Sequence, residues 1–302
     1  MDIDERAAQL SAFALMMRAR ADDRSLFRAD PPVKLNVMAI KESNGLDIEH
    51  VAETLNREKI EVINDSSKAE QQTFDGFDTK PVQKNLVAAS KSEIDKATLV
   101  AFLEFYKDAK TYGSLLRIPK RFVDLLPTLQ KLLDPAKGRD LAGHTAAEEL
   151  RPFVIQTSIL AAQYDNVVAN PPYMGTRQGM NDLLKKFVEA TYELSKTDLY
   201  SCFIERAFDY CRQYSLAGLV TMHSWMYLGS YEKFRSDVFW LNSLNHLLHL
   251  GAHAFEEISG EKVQVATFVS QKVILNGVSI FVDLTEEIDK SQAFLQKRGS
   301  LS

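Results

Sequence analysis

The tetrapeptide Asn-Pro-Pro-Tyr at 170–173 most constrains how this chain can fold. It follows a strand-like run at 164–169 and leads into Met174-Gly175. Proline fixes its own backbone angle and has no amide hydrogen, so two in a row cannot continue a sheet ladder. The pattern predicts a strand that ends in a stiff loop. In open α/β sheets, ligands bind at such strand ends.

These residue types suit the alkylation of an amino group on a planar ring, such as N6 of adenine. That nitrogen is a poor nucleophile because its lone pair is delocalised. Hydrogen bonds from the NH2 group to the Asn170 side-chain oxygen and the Pro171 carbonyl shift the nitrogen towards tetrahedral geometry without a titrating base. Tyr173 is expected to stack on the ring, a contact worth ~1–3 kcal/mol per base. The alternative is that the tetrapeptide only marks a strand-to-loop transition.

Length and charge limit the classes of function. The 302 residues are 45% hydrophobic, which is enough for one large domain or two ordinary ones. A net charge of −5 means that any contact with DNA must use local basic patches, and Arg177 is the favoured candidate. The acidic start at 1–5 and the lack of a long apolar run predict a cytoplasmic protein without a membrane span.

The hydrophobic pattern predicts an α/β fold. Helices are expected at 6–20, within 45–163, and at 180–195, 198–214 and 231–239, with a break at Pro152. Strands are expected at 33–40, 164–169, 216–222, 245–250, 264–273 and 278–284. The last two should form a C-terminal antiparallel hairpin across Asn276-Gly277. We interpret 1–44 as the N-terminal part of a core, 45–163 as a helical insertion, and 164–302 as the catalytic half.

Polar residues after the strand at 216–222 should lie on the same rim as Asn170. His223 and Trp225 are therefore candidate contacts to nucleic acid. Ser224 beside His223 suggests a nucleophile and base, but neighbours on a strand end point apart and no carboxylate partner is evident. His246, His249 and His253 suggest a metal site, yet strand spacing places the first two on opposite faces, so no metal site is predicted.

The run Tyr-Asp-Asn-Val-Val-Ala-Asn-Pro-Pro-Tyr-Met-Gly at 164–175 resembles the catalytic motif of class I S-adenosylmethionine-dependent N6-adenine DNA methyltransferases. Further segments at 198–206, 218–225, 231–235 and 255–258 resemble the PglX-type methyltransferases of BREX phage-defence systems. The resemblance implies a Rossmann-like class I methyltransferase sheet, S-adenosyl-L-methionine as cofactor, and double-stranded DNA with a flipped adenine as substrate.

The same resemblance implies roles for individual residues. Those implied to bind and activate the base are Asn170, Pro171, Pro172 and Tyr173. Asp2 matches the acidic position that holds the cofactor ribose, and Glu42 more loosely matches a position near the cofactor adenine.

One feature departs from that family. Its members carry a glycine-rich cofactor loop before the acidic position, whereas none of the 13 glycines here precedes Gly45. We therefore expect an incomplete sheet whose first strand is absent, without the family's C-terminal target-recognition region. Such a chain is expected to have little activity and no measurable S-adenosylmethionine binding alone. It would need a partner supplying the missing motif, alongside other defence-system proteins.

Two alternatives stay open from the sequence. The chain is either a non-catalytic nucleic-acid-binding or assembly subunit that needs a partner, or a methyltransferase for RNA or a protein amide.

Overall fold

The computed structural model describes residues 2–28, 30, 32, 35–56, 94–134, 140–176, 179–239, 241–254, 263–274 and 278–299. The chain divides into two compact units, Met1–Ala161 and Ala162–Ser302. The interpretation of 45–163 as an insertion stays a prediction. The possible turn at Asn276-Gly277 lies outside the described residues.

The described part of the first unit is mainly helical. Its helices are α1 (Glu5–Asp22), α2 (48–56), α3 (Lys96–Glu104), α4 (Ala109–Tyr112), α5 (Lys120–Leu132) and α6 (Leu141–Ala161). Asp4 caps α1, because its carboxylate accepts a hydrogen bond from the Ala7 amide at 2.8 Å. The predicted helix at 6–20 is confirmed. The predicted break at Pro152 is wrong, since α6 runs through that residue without interruption.

Aromatic side chains fill the core of the first unit. Phe102 packs edge-on against Tyr106 and Phe122, with ring centroids 5.6 and 5.5 Å apart. The Tyr106 hydroxyl and Thr157 Oγ1 are 2.5 Å apart and hydrogen-bond to each other. Thr157 Oγ1 also donates to the Phe153 carbonyl at 2.6 Å, so its bond with Tyr106 supplies the buried Tyr106 hydroxyl with a partner.

The predicted strand at 33–40 is not a regular strand where it is described. Only Ala39 pairs, in a parallel bridge with Asp2. The Asp2 amide donates to the Met38 carbonyl at 3.3 Å, and the Ile40 amide donates to the Asp2 carbonyl at 2.7 Å. The pairing does not continue on the C-terminal side of Asp2, because that segment enters α1 three residues later, at Glu5.

The second unit is built on a mixed sheet. Among the described residues its strands are β1 (Tyr164–Ala169), β2 (Cys211–Met222), β3 (Ser243–Gly251), β4 (Val265–Gln271) and β5 (Ile280–Asp283), in the order β1-β2-β4-β3-β5. Its helices are α7 (Asp182–Thr191), α8 (Leu199–Tyr210), α9 (Ser224–Tyr227), α10 (Glu232–Phe234), a π-helix (Arg235–Phe239) and α11 (Lys290–Gly299). The predicted α/β class is confirmed.

The predicted hairpin between the last two strands is wrong. β4 pairs antiparallel with β2 and β3, whereas β5 pairs parallel with β3. The antiparallel pair nearest the C-terminus is thus β3 with β4. The side of β4 that β5 was expected to occupy is already taken, because both edges of β4 are paired.

Helix α8 ends earlier than the periodicity predicts. The backbone becomes extended at Cys211, and Tyr214 adopts a positive φ of 68° where the register of β1 and β2 shifts. Residues 211–214, which continue the helical hydrophobic pattern in sequence, belong to β2.

None of the helices in the described part of the chain combines the length and the apolar character needed to cross a membrane.

The core of the second unit offers a first prediction. Phe268 is 1% exposed and lies 5.5 Å from Trp225 and 5.4 Å from Phe239, measured between ring centroids. Phe268→Ala should lower the free energy of unfolding of this unit by about 3–5 kcal/mol, because it leaves a cavity that neighbours fill only partly. Both tryptophans, Trp225 and Trp240, lie in this unit, so denaturation followed by tryptophan fluorescence reports on it.

Phe281→Ala is the matched control, since Phe281 is on the same sheet but 53% exposed. Equal destabilisation by the two substitutions would contradict the assignment of Phe268 to the core.

Candidate active site

Parallel pairing brings two loops to one edge of the sheet. Ala169, the last residue of β1, pairs with Leu219, and β2 ends three residues later at Met222. The carboxyl ends of parallel neighbours face the same way, so the loops that begin at Asn170 and His223 start from the same edge. The prediction that these two loops share a rim is confirmed.

The four residues after β1 differ in burial. Asn170 and Pro172 are exposed, Pro171 is buried and Tyr173 is half-buried. A buried proline ring anchors the loop, while the carboxamide of Asn170 remains accessible. An exposed amide oxygen beside a fixed backbone can accept a hydrogen bond from an incoming amino group.

The far end of this loop is held by the segment that begins α8. The Met174 amide donates to Asp198 Oδ1 at 2.9 Å, and the Leu199 amide donates to the Met174 carbonyl at 3.0 Å. The Thr176 amide donates to the Thr197 carbonyl at 3.2 Å. We call these contacts between 174–176 and 197–199 the loop clamp.

Asp198 also caps α8, because its Oδ1 accepts a hydrogen bond from the Tyr200 amide at 3.3 Å. Burial raises the pKa of this carboxyl, and the amides of Met174, Tyr200 and Leu199 act in the opposite direction by stabilising the carboxylate. One side chain therefore serves both the helix and the loop.

Tyr173 is wedged beside a second tyrosine. Its ring lies edge-on to that of Tyr200, with centroids 6.2 Å apart and planes at 88°. The Tyr173 hydroxyl is buried and has no hydrogen-bond partner among the described residues. Burial raises its pKa, so the phenol stays neutral. The ring is thus held by packing rather than by its hydroxyl.

A polar cluster lies on the other loop. His223 Nδ1 and His249 Nε2 are 2.8 Å apart, and the Tyr227 hydroxyl is 3.4 Å from His249 Nδ1. The Arg235 guanidinium donates to the carbonyls of Trp225 and Leu228, both at 2.8 Å, and so closes the loop. His223 therefore has a fixed orientation before any ligand arrives.

The prediction that Trp225 contacts nucleic acid is wrong, because its ring is buried. Trp225 is 4% exposed, stacks on Phe239 at 4.3 Å with planes 4° apart, and donates through Nε1 to Thr221 Oγ1 at 3.1 Å. The ring face and the N–H of this indole are therefore both engaged within the core. His223 remains a candidate contact, and Arg177 lies outside the described residues.

The candidate cofactor residues lie in the first unit. Asp2 is half-buried and pairs with the segment that ends in Ile40, and Glu42 follows two residues later. Asp2 Oδ1 accepts a hydrogen bond from the Asp4 amide at 2.9 Å, which fixes the carboxylate. The parallel bridge places Asp2 beside Ala39, and Glu42 follows three residues after Ala39.

The cysteines do not offer a nucleophile. Cys202 and Cys211 are buried and free. Burial raises the pKa of Cys202 to about 12 and that of Cys211 to about 11, so both thiols are protonated at neutral pH. Within the ranges that the structure describes, no three His, Cys, Asp or Glu side chains group as metal ligands.

Two residues that hold the site were not singled out from the sequence. Asp198 carries a local signal, since an aspartate before a helical run predicts an N-cap, but its bond to Met174 spans 24 residues. Arg235 carries no local signal for its two carbonyl partners.

Sequence comparison gives a family match. Residues 1–255 match the family described as Eco57I restriction-modification methylase. The chain is 37% identical over 270 residues, or 89% of its length, to an adenine-specific methyltransferase, BrxX, of Escherichia coli O9:H4 (strain HS). It is 31% identical over 308 aligned positions, or 98% of its length, to an adenine-specific methyltransferase, PglX, of Lacticaseibacillus casei (strain Zhang).

The chain spans about a fifth of each relative, 21% of the first and 22% of the second. Among solved structures, a putative class I S-adenosylmethionine-dependent methyltransferase from Listeria monocytogenes is 11% identical, with 66% of this chain and 76% of that chain covered and a TM-score of 0.34. The family assignment rests on the sequence match.

The unpartnered hydroxyl of Tyr173 gives a second prediction. A buried hydroxyl without a hydrogen bond costs about 1–3 kcal/mol, so Tyr173→Phe should leave the stability of its unit unchanged or raise it. Tyr106→Phe is the contrasting control, because it removes the bond to Thr157 and should cost about 0.5–1.5 kcal/mol. Calorimetric unfolding of both variants measures this. A loss at Tyr173 equal to that at Tyr106 would show that its hydroxyl has a partner.

The histidine pair gives a third prediction. Burial, and then the neighbouring His249, lower the pKa of His223 below its usual range. Below that range the unfolded chain binds more protons at this histidine than the folded chain does. The stabilising contribution of neutral His223 should therefore be fully present above about pH 6.5, and the free energy of unfolding should fall as the pH drops below that value. His223→Asn should flatten this dependence. Denaturant unfolding at pH 7.5 and pH 5.5 measures it.

His246→Asn is the control, because His246 is exposed and lies on β3, the strand that carries His249. If His246→Asn flattens the pH dependence of stability and His223→Asn does not, then His223 is not the source of that dependence.

Proposed function

Because this chain belongs to the Eco57I family of restriction-modification methylases, we propose that it acts in the methylation of adenine N6 in DNA. The observation that carries this proposal is the accessible Asn170 carboxamide at the carboxyl end of β1, next to the buried Pro171. The relatives named as adenine-specific methyltransferases support adenine as the target base.

In this proposal the loop after β1 provides acceptors and not a base. The Asn170 Oδ1 and the Pro171 carbonyl accept hydrogen bonds from the two hydrogens of the amino group. This draws the nitrogen out of conjugation and aims its lone pair away from the ring. Neither acceptor titrates near neutral pH, so positioning provides the catalysis.

Tyr173 provides the stacking surface for the base. Its ring is supported on one side by the edge contact with Tyr200, which is itself 1% exposed. A supported ring loses little freedom when a base stacks on it, which favours binding. The adenine of a duplex reaches this position after flipping out of the stack.

S-adenosylmethionine is the proposed cofactor, and Asp2 and Glu42 are the residues proposed to hold it. The Asp2 carboxylate, a hydrogen-bond acceptor, suits the hydroxyls of the cofactor ribose, and Glu42 is proposed to lie near the cofactor adenine. When bound, the cofactor supplies an electrophilic methyl group. Asp2 already has one oxygen fixed by the Asp4 amide, so its orientation costs little on binding.

Duplex DNA is the proposed partner, with His223 and Arg177 as candidate contacts to it. In a chain of net charge −5 such contacts must be local. Other proteins of a phage-defence system are further proposed partners, in keeping with the relatives BrxX and PglX.

The fourth prediction tests the proposed function through Asn170. Cells that carry the gene should contain N6-methyladenine at a defined DNA sequence. Asn170→Ala, introduced at the chromosomal locus, should lower methylation at least about 10²-fold, as expected for losing an acceptor at the reacting group. Single-molecule sequencing of genomic DNA measures this, with mass spectrometry of the nucleosides to identify the methylated atom.

Asn166→Ala is the matched control, because Asn166 is an exposed asparagine of β1 four residues earlier. It should leave methylation unchanged. Absence of N6-methyladenine in the parent strain, or its persistence in Asn170→Ala cells, would refute the proposal.

A further inference from the structure

The backbone after β1 has few ways to be held in place. Pro171 and Pro172 have no amide hydrogen, so the loop cannot be fixed by ladder bonds at those positions. Among the described residues, the next hydrogen bond from a backbone amide after the prolines is that of Met174, which donates to Asp198 Oδ1 at 2.9 Å. Beyond the packing of the buried Pro171 ring, the position of the loop therefore depends on a side chain from another element.

The remaining contacts of the loop clamp follow from that one. The Leu199 amide returns a bond to the Met174 carbonyl at 3.0 Å, and Gly175 forms an antiparallel bridge with Asp198. A Cβ added at Gly175 would lie 3.4 Å from Asp198 Oδ2, so the two segments are closely apposed. Tyr200, the second residue of α8, supports the ring of Tyr173.

We propose that Asp198 is a positioning residue for the methyl-transfer reaction, because it fixes the backbone that presents Asn170 and Tyr173 to the base. It acts through those residues and does not itself touch the substrate. This inference rests on the proposed function. It assigns to Asp198 a task beyond the capping of α8, and the two tasks can be separated experimentally.

The two tasks can be separated by the length of the side chain, although both bonds use the same oxygen. Oδ1 accepts from Met174 and from Tyr200. Asp198→Asn keeps an oxygen at that place and removes only the charge. Asp198→Ser keeps a good N-cap, but its hydroxyl is one bond shorter and cannot also reach Met174. Serine thus preserves the helix and releases the loop.

The experiment uses protein purified under native conditions from its source cells, with a DNA duplex that contains the methylated sequence. Asp198→Ser should lower kcat about 10²-fold while changing KM for DNA by less than about threefold, because misplacement of reacting groups affects the transition state more than binding. Asp198→Asn should retain kcat within about threefold, since the acceptor is preserved.

Asp289→Ala controls for the general loss of a cap. Asp289 Oδ1 accepts a hydrogen bond from the Gln292 amide at 2.9 Å at the start of α11. That helix follows β5, at the opposite edge of the sheet from β1. The kcat of Asp289→Ala should equal that of the parent protein. The positioning role would be overturned if the loss of kcat were proportional to the loss of melting temperature in all three variants, Asp198→Ser, Asp198→Ala and Asp289→Ala.

A second readout does not depend on activity. Hydrogen exchange at the Met174 amide should accelerate at least about tenfold in Asp198→Ser relative to the parent and to Asp289→Ala, because local opening becomes easier. Unchanged exchange, or an unchanged kcat, would refute the inference while leaving the proposed function intact. A parent protein that transfers no methyl group would refute both, even if the exchange result showed the clamp itself.

Discussion

The parallel pairing of β1 with β2 is the constraint on which the site depends. Parallel neighbours need a crossover, and here the segment between Ala169 and Cys211 supplies it with α7 and α8. Because α8 packs on both strands and leads directly into the amino end of β2, its own N-terminus lies towards the carboxyl edge of the sheet. Asp198 reaches Met174 for that reason. The loop clamp is therefore a consequence of topology.

Much of this arrangement is predictable from local patterns. The prolines at 171 and 172 end β1, and the apolar runs at 216–222 and 245–250 give strands, because burial on one or both faces dictates their composition. Pairing partners are not encoded locally. The signal at Asn276-Gly277 favours a hairpin, yet β5 pairs with β3, since the choice depends on which strand edges are already occupied. The two hydrogen bonds of Asp198 could not both be predicted from the sequence, because its bond with the Met174 amide joins residues 24 positions apart.

The loop after β2 shows why residue type alone misassigns a site. His223 and Trp225 are two residues apart and both suit nucleic-acid binding chemically. The short helix α9 turns the indole into the core, where it stacks on Phe239. His223 stays half-buried and bonded to His249 on β3. The indole of tryptophan buries more apolar area than the smaller, more polar imidazole of histidine, so the core takes the tryptophan and leaves the histidine at the rim.

Satisfaction of polar groups decides what the site offers to a ligand. The amide and carbonyl of Met174 are paired, both bonds of Asp198 Oδ1 are internal, and the Arg235 guanidinium is engaged by two carbonyls. Burying the Asp198 carboxylate raises its pKa, and the amides around it offset part of that cost. Such a framework holds its shape without a ligand. The accessible Asn170 carboxamide is then presented from a backbone that need not reorganise. Under the proposed function, a planar amino group would therefore meet acceptors that are already in place.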